Sequence, residues 1–450
     1  MALRAYLRRL LINNQAKSIL SEVNPDLEIA FICRREYLSA SGGDALLFAA
    51  VKGTTVRVAA NLFGSKNRSL MMLNNDEGGL IHKIRTMIAS GTHDAATSLT
   101  NACHMHPIDS FEPEYQHREL TLKEIPALRS WPREKHRYLT LALTHSVSPA
   151  TGICNLGLYR AAVVGESAIA LNFGPGSGAD DHLKIAAARG ESLSVALILG
   201  ADPALIWAAA APLPPGCSEY GFAAAISGRP VTFAPCLTQP LSLPASAEII
   251  IEGEIKPGAR VTEGPFGNHT GQYVERQGCP LMEVTTIRHR LQPIIPVTVV
   301  GPPPSENVQL AKLNELLLRE MLLFDFPLIA DLVMPPRTAF HGVAVIAVRQ
   351  CSATDVADLI QQLRRPNCLG RSRMLVLVDD DINIHDLDLS WWRAVNLLSP
   401  ERVITTDKGF IINATGVNKE QLVTEDQATT VLVESRNYQI SRKTPEYLEP

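Results

Sequence analysis

The chain has 450 residues, of which 46% are hydrophobic and 20% charged, and its formal net charge is −4. That size and balance suit a globular chain of roughly two to three domains, and the mild acidity argues against a basic nucleic-acid binder. The longest apolar run, Val195–Pro215, is broken by Gly200, Asp202 and several prolines, so no integral membrane segment is expected.

Residues 1–110 read as a small α/β domain. Arg4, Arg8 and Arg9 resemble a short targeting segment, but no apolar core follows, and Glu22, Asp26 and Glu28 soon do. Leucines at helical spacing predict a helix over Leu3–Leu20. Two β-type runs follow, Ala45–Phe48 and Val56–Ala60, and Asn61-Leu62-Phe63-Gly64-Ser65 reads as a strand end turning into another helix. Cys103-His104-Met105-His106 has the look of a metal cluster. No second ligand pair stands at a useful spacing, so a plain loop is the simpler expectation. The 8 cysteines are scattered without a CxxC pair. Reduced thiols in a cytoplasmic protein are therefore expected, rather than a disulfide framework or a zinc ribbon.

Residues 111–303 carry short β-type runs broken by Gly and Pro: Tyr138–Leu143, Ala161–Val164, Ala168–Asn172, Val231–Phe233, Glu248–Ile255, Leu281–Thr286 and Ile294–Val300. This predicts a barrel or sandwich, with a helical insert around Asp181–Arg189 and Asp202–Ala211. Residues 304–450 read as a C-terminal α/β domain with a linker helix, Ser305–Leu323. Strand Val343–Val348, helix Thr354–Arg364 and strand Met374–Val378 then make a βαβ unit. Ser352 and Asp355 suit that helix start. The polar stretch beyond Thr424 reads as an oligomerisation arm.

Five segments could carry chemistry. Glu263-Gly264-Pro265-Phe266-Gly267-Asn268-His269-Thr270-Gly271 has a backbone path fixed by glycine and proline, which can bring a carboxylate and an imidazole to a ligand. A β-turn with a solvated glutamate is the plainer alternative. Asn155-Leu156-Gly157-Leu158-Tyr159-Arg160, read as one strand, puts Leu156, Leu158 and Arg160 on one face. An arginine among leucines needs a counter-charge or an anionic ligand, unless its head reaches water from a sheet edge. Ser218-Glu219-Tyr220-Gly221 offers an acid for a metal or for a helix cap. Phe173-Gly174-Pro175-Gly176-Ser177-Gly178 lacks both the P-loop ending and the GxGxxG spacing. Asp379-Asp380-Asp381 follows an apolar strand, where acids bind ligands or simply cap the strand.

In order, these segments resemble the UbiD family of prenylated-flavin decarboxylases. Pro25–Ile29, Ala45–Phe48 and Asn61–Ser65 look like its N-terminal domain. Asn155–Arg160, Leu199–Pro203, Ser218–Tyr220 and Glu263–Gly271 look like its cofactor domain, and Val378–Asp381 and Asn413–Gly416 like its C-terminal domain. The resemblance implies an α/β N-terminal domain, a central split β-barrel like those of flavin reductases, a C-terminal α/β domain, and a homo-oligomer, dimeric or hexameric. It implies reversible non-oxidative decarboxylation of aromatic or α,β-unsaturated acids, a polyprenyl-hydroxybenzoate of quinone synthesis among them. The implied cofactors are prenylated FMN from a separate flavin prenyltransferase, a divalent metal (manganese or magnesium) and potassium. Carried over by position, Arg160 and Glu263 are the catalytic pair. Asn155, Leu156, Arg160, Glu219 and Arg373 are cofactor contacts, and Asn155 and Glu219 are metal ligands.

Two departures accompany the resemblance. The family's second acid, five residues after Glu263, is here Asn268, which cannot deliver a proton at neutral pH. The family's metal histidine falls near Gly174, with His182 displaced on a helix and Asn172 or water as the expected substitute, favouring magnesium. Arg373 stands where a phosphate-binding lysine aligns. An active decarboxylase is thus set against a non-catalytic or specialised paralogue within a multi-component carboxylase.

Overall fold

The computed structural model describes residues 2–39, 41–90, 94–104, 108–110, 120–338, 342–365, 368–370 and 372–417. Two expectations lie outside the described residues: the Met105-His106 half of the CHMH segment and the arm beyond Thr424.

Four sheets organise the described residues. In the first, Ala16–Val23 runs parallel to Ala45–Val51, which pairs antiparallel with Arg57–Ala60. The fourth strand comes from far along the chain: Ile294–Val297 pairs parallel with Arg57–Ala60. In the sequence that run reads as one of the barrel strands. Its register with Arg57–Ala60 puts Ile295 and Val297 into a core shared with Phe48 and Val58, and that burial decides its sheet. The predicted Leu3–Leu20 helix also needs correction. It ends at Ile12, and Ala16–Val23 is a strand. Asn14, at φ 52°, breaks the helix, and Leu20, in phase for the helix pattern, is 78% exposed on the strand.

The central sheet has nine strands, all antiparallel, and curls into a half-barrel. Along it run Arg137–Leu139, Ala161–Val163, Ala168–Leu171, Tyr273–His289, Ile249–Ile255, Leu193–Leu199, Leu143–Val147 and Cys154–Leu158, while Arg260–Gly267 pairs with Tyr273–His289 off that path. The single run read as Tyr138–Leu143 divides here into two strands at different places in the sheet. Helices Gly178–Ala188, Pro203–Ala208 and Glu219–Ser227 form the insert. A small third sheet joins Ser242–Pro244, Val231–Pro235 and Ile108–Ser110.

The C-terminal sheet holds the expected βαβ unit. Val343–Val348, Met374–Asp379 and Phe410–Ala414 are parallel, flanked by antiparallel Ile329–Val333 and Val403–Thr405. Helix Ala353–Leu363 opens on a reciprocal Ser352–Asp355 capping box.

Helix Asn307–Asp325 links the two halves. Glu306, just before it, is fully buried, and its Oε1 accepts from the Phe63 N–H of the first domain at 2.9 Å. Burial pushes this carboxyl up to about 7, against the opposing effects of the Phe63 N–H, the Thr298 hydroxyl and Arg68. A carboxyl with a raised folded-state pKa holds its proton better when folded. Its contribution is therefore greatest below its unfolded pKa and is lost as pH rises to about 7. Denaturant unfolding at pH 5 and pH 8 should show wild type losing about 2–3 kcal/mol relative to Glu306→Gln, which keeps an acceptor for Phe63. An unchanged difference between the two proteins would mean that Glu306 does not titrate in this range.

Candidate active site

The strand Ala161–Val163 returns as Ala168–Leu171, with Ala161 opposite Leu171. One step further, the Asn172 N–H donates to the Arg160 carbonyl at 3.2 Å, so these two side chains stand side by side at the mouth of the hairpin. Arg160 is not on the preceding strand, which ends at Leu158, so the face alternation expected for residues 155–160 stops short of it. A third strand brings the acid. Glu263 lies on Arg260–Gly267, where the pairing with Tyr273–His289 slips on both sides of it. Such bulges re-aim a side chain. Gly264, at φ 112°, sustains the bend, and a Cβ there would meet the Val274 carbonyl at 2.6 Å.

These elements meet in one buried pair. Glu263 is 0% exposed. Arg160 Nε lies 3.0 and 3.1 Å from its two oxygens, and Nη2 lies 2.5 Å from Oε2. Asn172 Nδ2 also donates to Oε2, at 3.1 Å. Arg276, opposite Glu263 in the ladder, donates to Asn172 Oδ1 at 2.5 Å and so fixes the amide's orientation. The Arg160 guanidinium stacks 4.6 Å from the Phe266 ring. The planar fork of arginine matches both carboxylate oxygens, a geometry that lysine cannot provide.

A second group lies on the edge strand Cys154–Leu158. Glu219 opens the Glu219–Ser227 helix, whose cap is the Ser218 hydroxyl accepting from the Gly221 N–H. The Glu219 carboxylate therefore does not cap. It accepts from the Leu156 N–H at 3.3 Å, and burial pushes it up to about 7. Beside it, Asn155 Nδ2 is buried without a hydrogen-bond partner. The residue facing the Asn155 amide from the next helix is Gly178, whose Cβ would lie 2.2 Å from Oδ1. Gly178, and not Gly174, is the glycine whose Cβ would meet the Asn155 amide. Gly174 instead accepts from the Ser177 N–H in the turn before the helix. Asn172 cannot substitute, because Glu263 and Arg276 occupy its amide. His182, one turn beyond Gly178, shares a 3.0 Å hydrogen bond with Ser146.

The remaining candidates are placed elsewhere. Asn268 directs its carbonyl into a local turn, accepting from the N–H and hydroxyl of Thr270 at 2.9 and 2.6 Å. Arg373 is exposed just before Met374–Asp379, at the opposite end of that strand from Asp379. Asp379 accepts from the Gly416 and Val417 N–H groups, and Asp381 pairs with Arg393 at 2.7 Å, so both serve the C-terminal sheet. Sequence reasoning named Asn172 only as a stand-in at the metal site, not as a partner of Glu263, and missed Arg276, Trp131 and Glu134. Glu134, buried, gathers the N–H groups of Ser130, Trp131 and Gly267. The Trp131 indole fills the notch between Gly267 and Gly301 and donates to the Val300 carbonyl. Together they clamp the strand that carries Glu263.

Family comparison decides the lineage. The 3-octaprenyl-4-hydroxybenzoate carboxy-lyase N-terminal domain matches residues 7–88, the Rift-related domain of the same family 105–303, and its C-terminal domain 308–418. The chain belongs to the UbiD carboxy-lyase family. An uncharacterised protein of Archaeoglobus fulgidus is 31% identical over 412 residues, covering 89% of this chain and 85% of its own length. One from Aquifex aeolicus is 31% identical over 408, covering 87% and 84%. Among solved structures, an evolved dimeric HmfF from Pelotomaculum thermopropionicum in complex with prFMN superposes with a TM-score of 0.78 at 24% identity, covering 95% of this chain and 98% of that one. The closed form of Sedimentibacter hydroxybenzoicus vanillic acid decarboxylase gives 0.83 at 22%, covering 96% and 97%. These two likenesses establish the UbiD fold. Among the described residues, no helix is long and apolar enough to cross a membrane.

The clamp generates a double-mutant prediction. A Cβ on Gly267 would lie 2.3 Å from Trp131 Cδ1. Gly267→Ala should cost about 1–3 kcal/mol by overpacking, and Trp131→Ala about 3 kcal/mol by leaving a cavity. In urea denaturation the double variant should lose at least about 1 kcal/mol less than the sum. Strict additivity would show that the indole does not wedge this strand.

Proposed function

We propose that this chain is a reversible non-oxidative decarboxylase of an aromatic or α,β-unsaturated carboxylic acid that uses prenylated FMN, with Glu263 as the acid and Arg160 as its partner. The observation that carries the reading is the dry, two-pronged Arg160–Glu263 contact. A buried ion pair is a poor way to stabilise a fold, and a carboxylate held in this manner suits proton transfer at a reacting carbon. Arg160 holds the carboxylate in place, Asn172 fixes its rotation, and the buried surroundings exclude water. When bound, prenylated FMN would supply the electron sink for the carbanion left by CO2 loss.

The Asn155–Glu219 group fits the phosphate end of such a cofactor. Glu219 and the Asn155 carbonyl offer hard oxygen donors for a magnesium or manganese ion, and the unpartnered Asn155 N–H suits a phosphate oxygen. Among the described residues no cluster of three or more His, Cys, Asp or Glu could hold a metal. The rest of the coordination shell would therefore come from phosphate and water, with potassium as the family's further phosphate counter-ion. Five residues along the chain separate Asn155 from Arg160, a reach of at most about 16 Å if fully extended. That span suits a ligand with an anionic tail and a reactive ring at opposite ends. The prFMN in the HmfF complex supports the same assignment. The substrate, a polyprenyl-hydroxybenzoate or a smaller aryl acid, would enter over Glu263, and the assembly would be a homo-oligomer supplied by a flavin prenyltransferase.

One observation favours a second reading, a specialised subunit of a multi-component carboxylase. Asn268, in the place of the family's second acid, is engaged with Thr270 rather than with Glu263. Co-production with a flavin prenyltransferase separates the two readings. The decarboxylase should show an oxidised prenylated-flavin absorbance and release CO2 from an aryl acid, whereas colourless protein would favour the subunit. In the coloured protein, Glu263→Gln should abolish turnover while retaining the flavin. Full activity in that variant would remove Glu263 as the acid. Asn268→Asp should be tolerated and raise the rate, and a lower rate would give the asparagine its own role.

A further inference from the structure

Resting on the assignment of Glu263 as the acid, we infer that the Tyr138 hydroxyl is a further donor to the Glu263 carboxylate and tunes its proton affinity where the family's second acid is missing. The register places it. Tyr138 is opposite Ala162, and Ala162 is opposite Ala170, so the three share one sheet face. Arg160 and Asn172 pair two residues further along the same hairpin and therefore lie on that face as well. The small side chains of Ala162 and Ala170 leave room for the phenol beneath the pair. Its ring meets Phe266 edge-on at 4.6 Å, and Phe266 carries the Arg160 guanidinium on its own ring.

Tyr138 is 1% exposed, and its buried hydroxyl makes no well-formed hydrogen bond, although the Glu263 carboxylate lies close enough to act on it as an acceptor. A buried hydroxyl without a partner is costly, and native structures rarely keep one without a use. The groups facing it are Glu263 and, more remotely, Glu134, with Arg160 opposing them. Burial first, and then the Glu263 carboxylate, push the phenol well above its ordinary range, so at neutral pH it can only donate. On the acceptor side, Oε2 already takes Arg160 and Asn172, whereas Oε1 takes only Arg160 Nε. The other described groups near the carboxylate are engaged: Arg276 on Asn172, and the Cys279 thiol on the Arg276 carbonyl at 3.7 Å.

Donation to a carboxylate favours its ionised form. Tyr138 therefore acts through Glu263 as a positioning residue, lowering the acid's proton affinity, whereas a second carboxylate at position 268 would raise it.

The test is read on the carboxyl itself. In protein carrying 13C-labelled glutamate, infrared difference titration follows the Glu263 carboxyl band, assigned by its loss in Glu263→Gln. Tyr138→Phe keeps the ring against Phe266 and removes only the hydroxyl. It should raise the midpoint by about one pH unit, and 3-fluorotyrosine at 138, a stronger donor, should lower it. A midpoint unchanged by either replacement overturns the inference. No substrate is needed, so the two readings fail separately. Shifted midpoints without CO2 release from any aryl acid would sink the decarboxylase reading alone, and unmoved midpoints with normal CO2 release would sink the role of Tyr138 alone.

Discussion

A carboxylate removed from water is the constraint on which the rest of the site depends. Left unpaired, Glu263 would take up a proton or draw in solvent. It stays dry because one guanidinium reaches both of its oxygens and one amide reaches the second of them. Each partner comes from a different strand or strand end, so the pair exists only when three neighbouring strands hold their register. The bulges around Glu263 and the positive φ of Gly264 are the local cost of turning that side chain inward.

The same sheet links the acid to the proposed cofactor end. Cys154–Leu158 carries Asn155 near its start and leads, two residues past its end, into Arg160. Placing both ends of the site within five residues of one another along the chain limits their separation. The clamp from Glu134 and Trp131 adds rigidity on the opposite side, where Gly267 is held by a backbone hydrogen bond and by the indole. Glu219 shows a different balance. Its own N–H and that of Leu156 do not offset burial, so the carboxyl stays up at about 7.

Local signals in the sequence announced most of the architecture. Short β-type runs broken by Gly and Pro located many strands of the central sheet, though Ile294–Val297 and Val231–Pro235 joined other sheets, and the Ser352–Asp355 cap located a helix start. The Glu263–Gly271 motif and the Asn155–Arg160 segment named the pair that the fold brings together. What sequence could not supply was partnership at long range. Nothing local tells Ile294–Val297 to join Arg57–Ala60, or Asn172 to orient toward Glu263, because those choices follow from which faces are buried after the strands have paired. The start of the chain misled for a related reason. Leucines at helical spacing continue through Leu20, yet Asn14 ends the helix, and pairing with Ala45–Val51 takes over.

The late-arriving strand Ile294–Val297 has a consequence for synthesis. The first sheet begins with the opening residues, yet its last strand leaves the ribosome only after the whole central sheet has been made. Until then Arg57–Ala60 presents an open edge, with Val58 and Ala60 lacking the neighbours that Ile295 and Val297 later provide. The nascent chain must carry that unfinished edge for about 230 residues, which makes the N-terminal third the stretch most dependent on protection from other strands while translation proceeds.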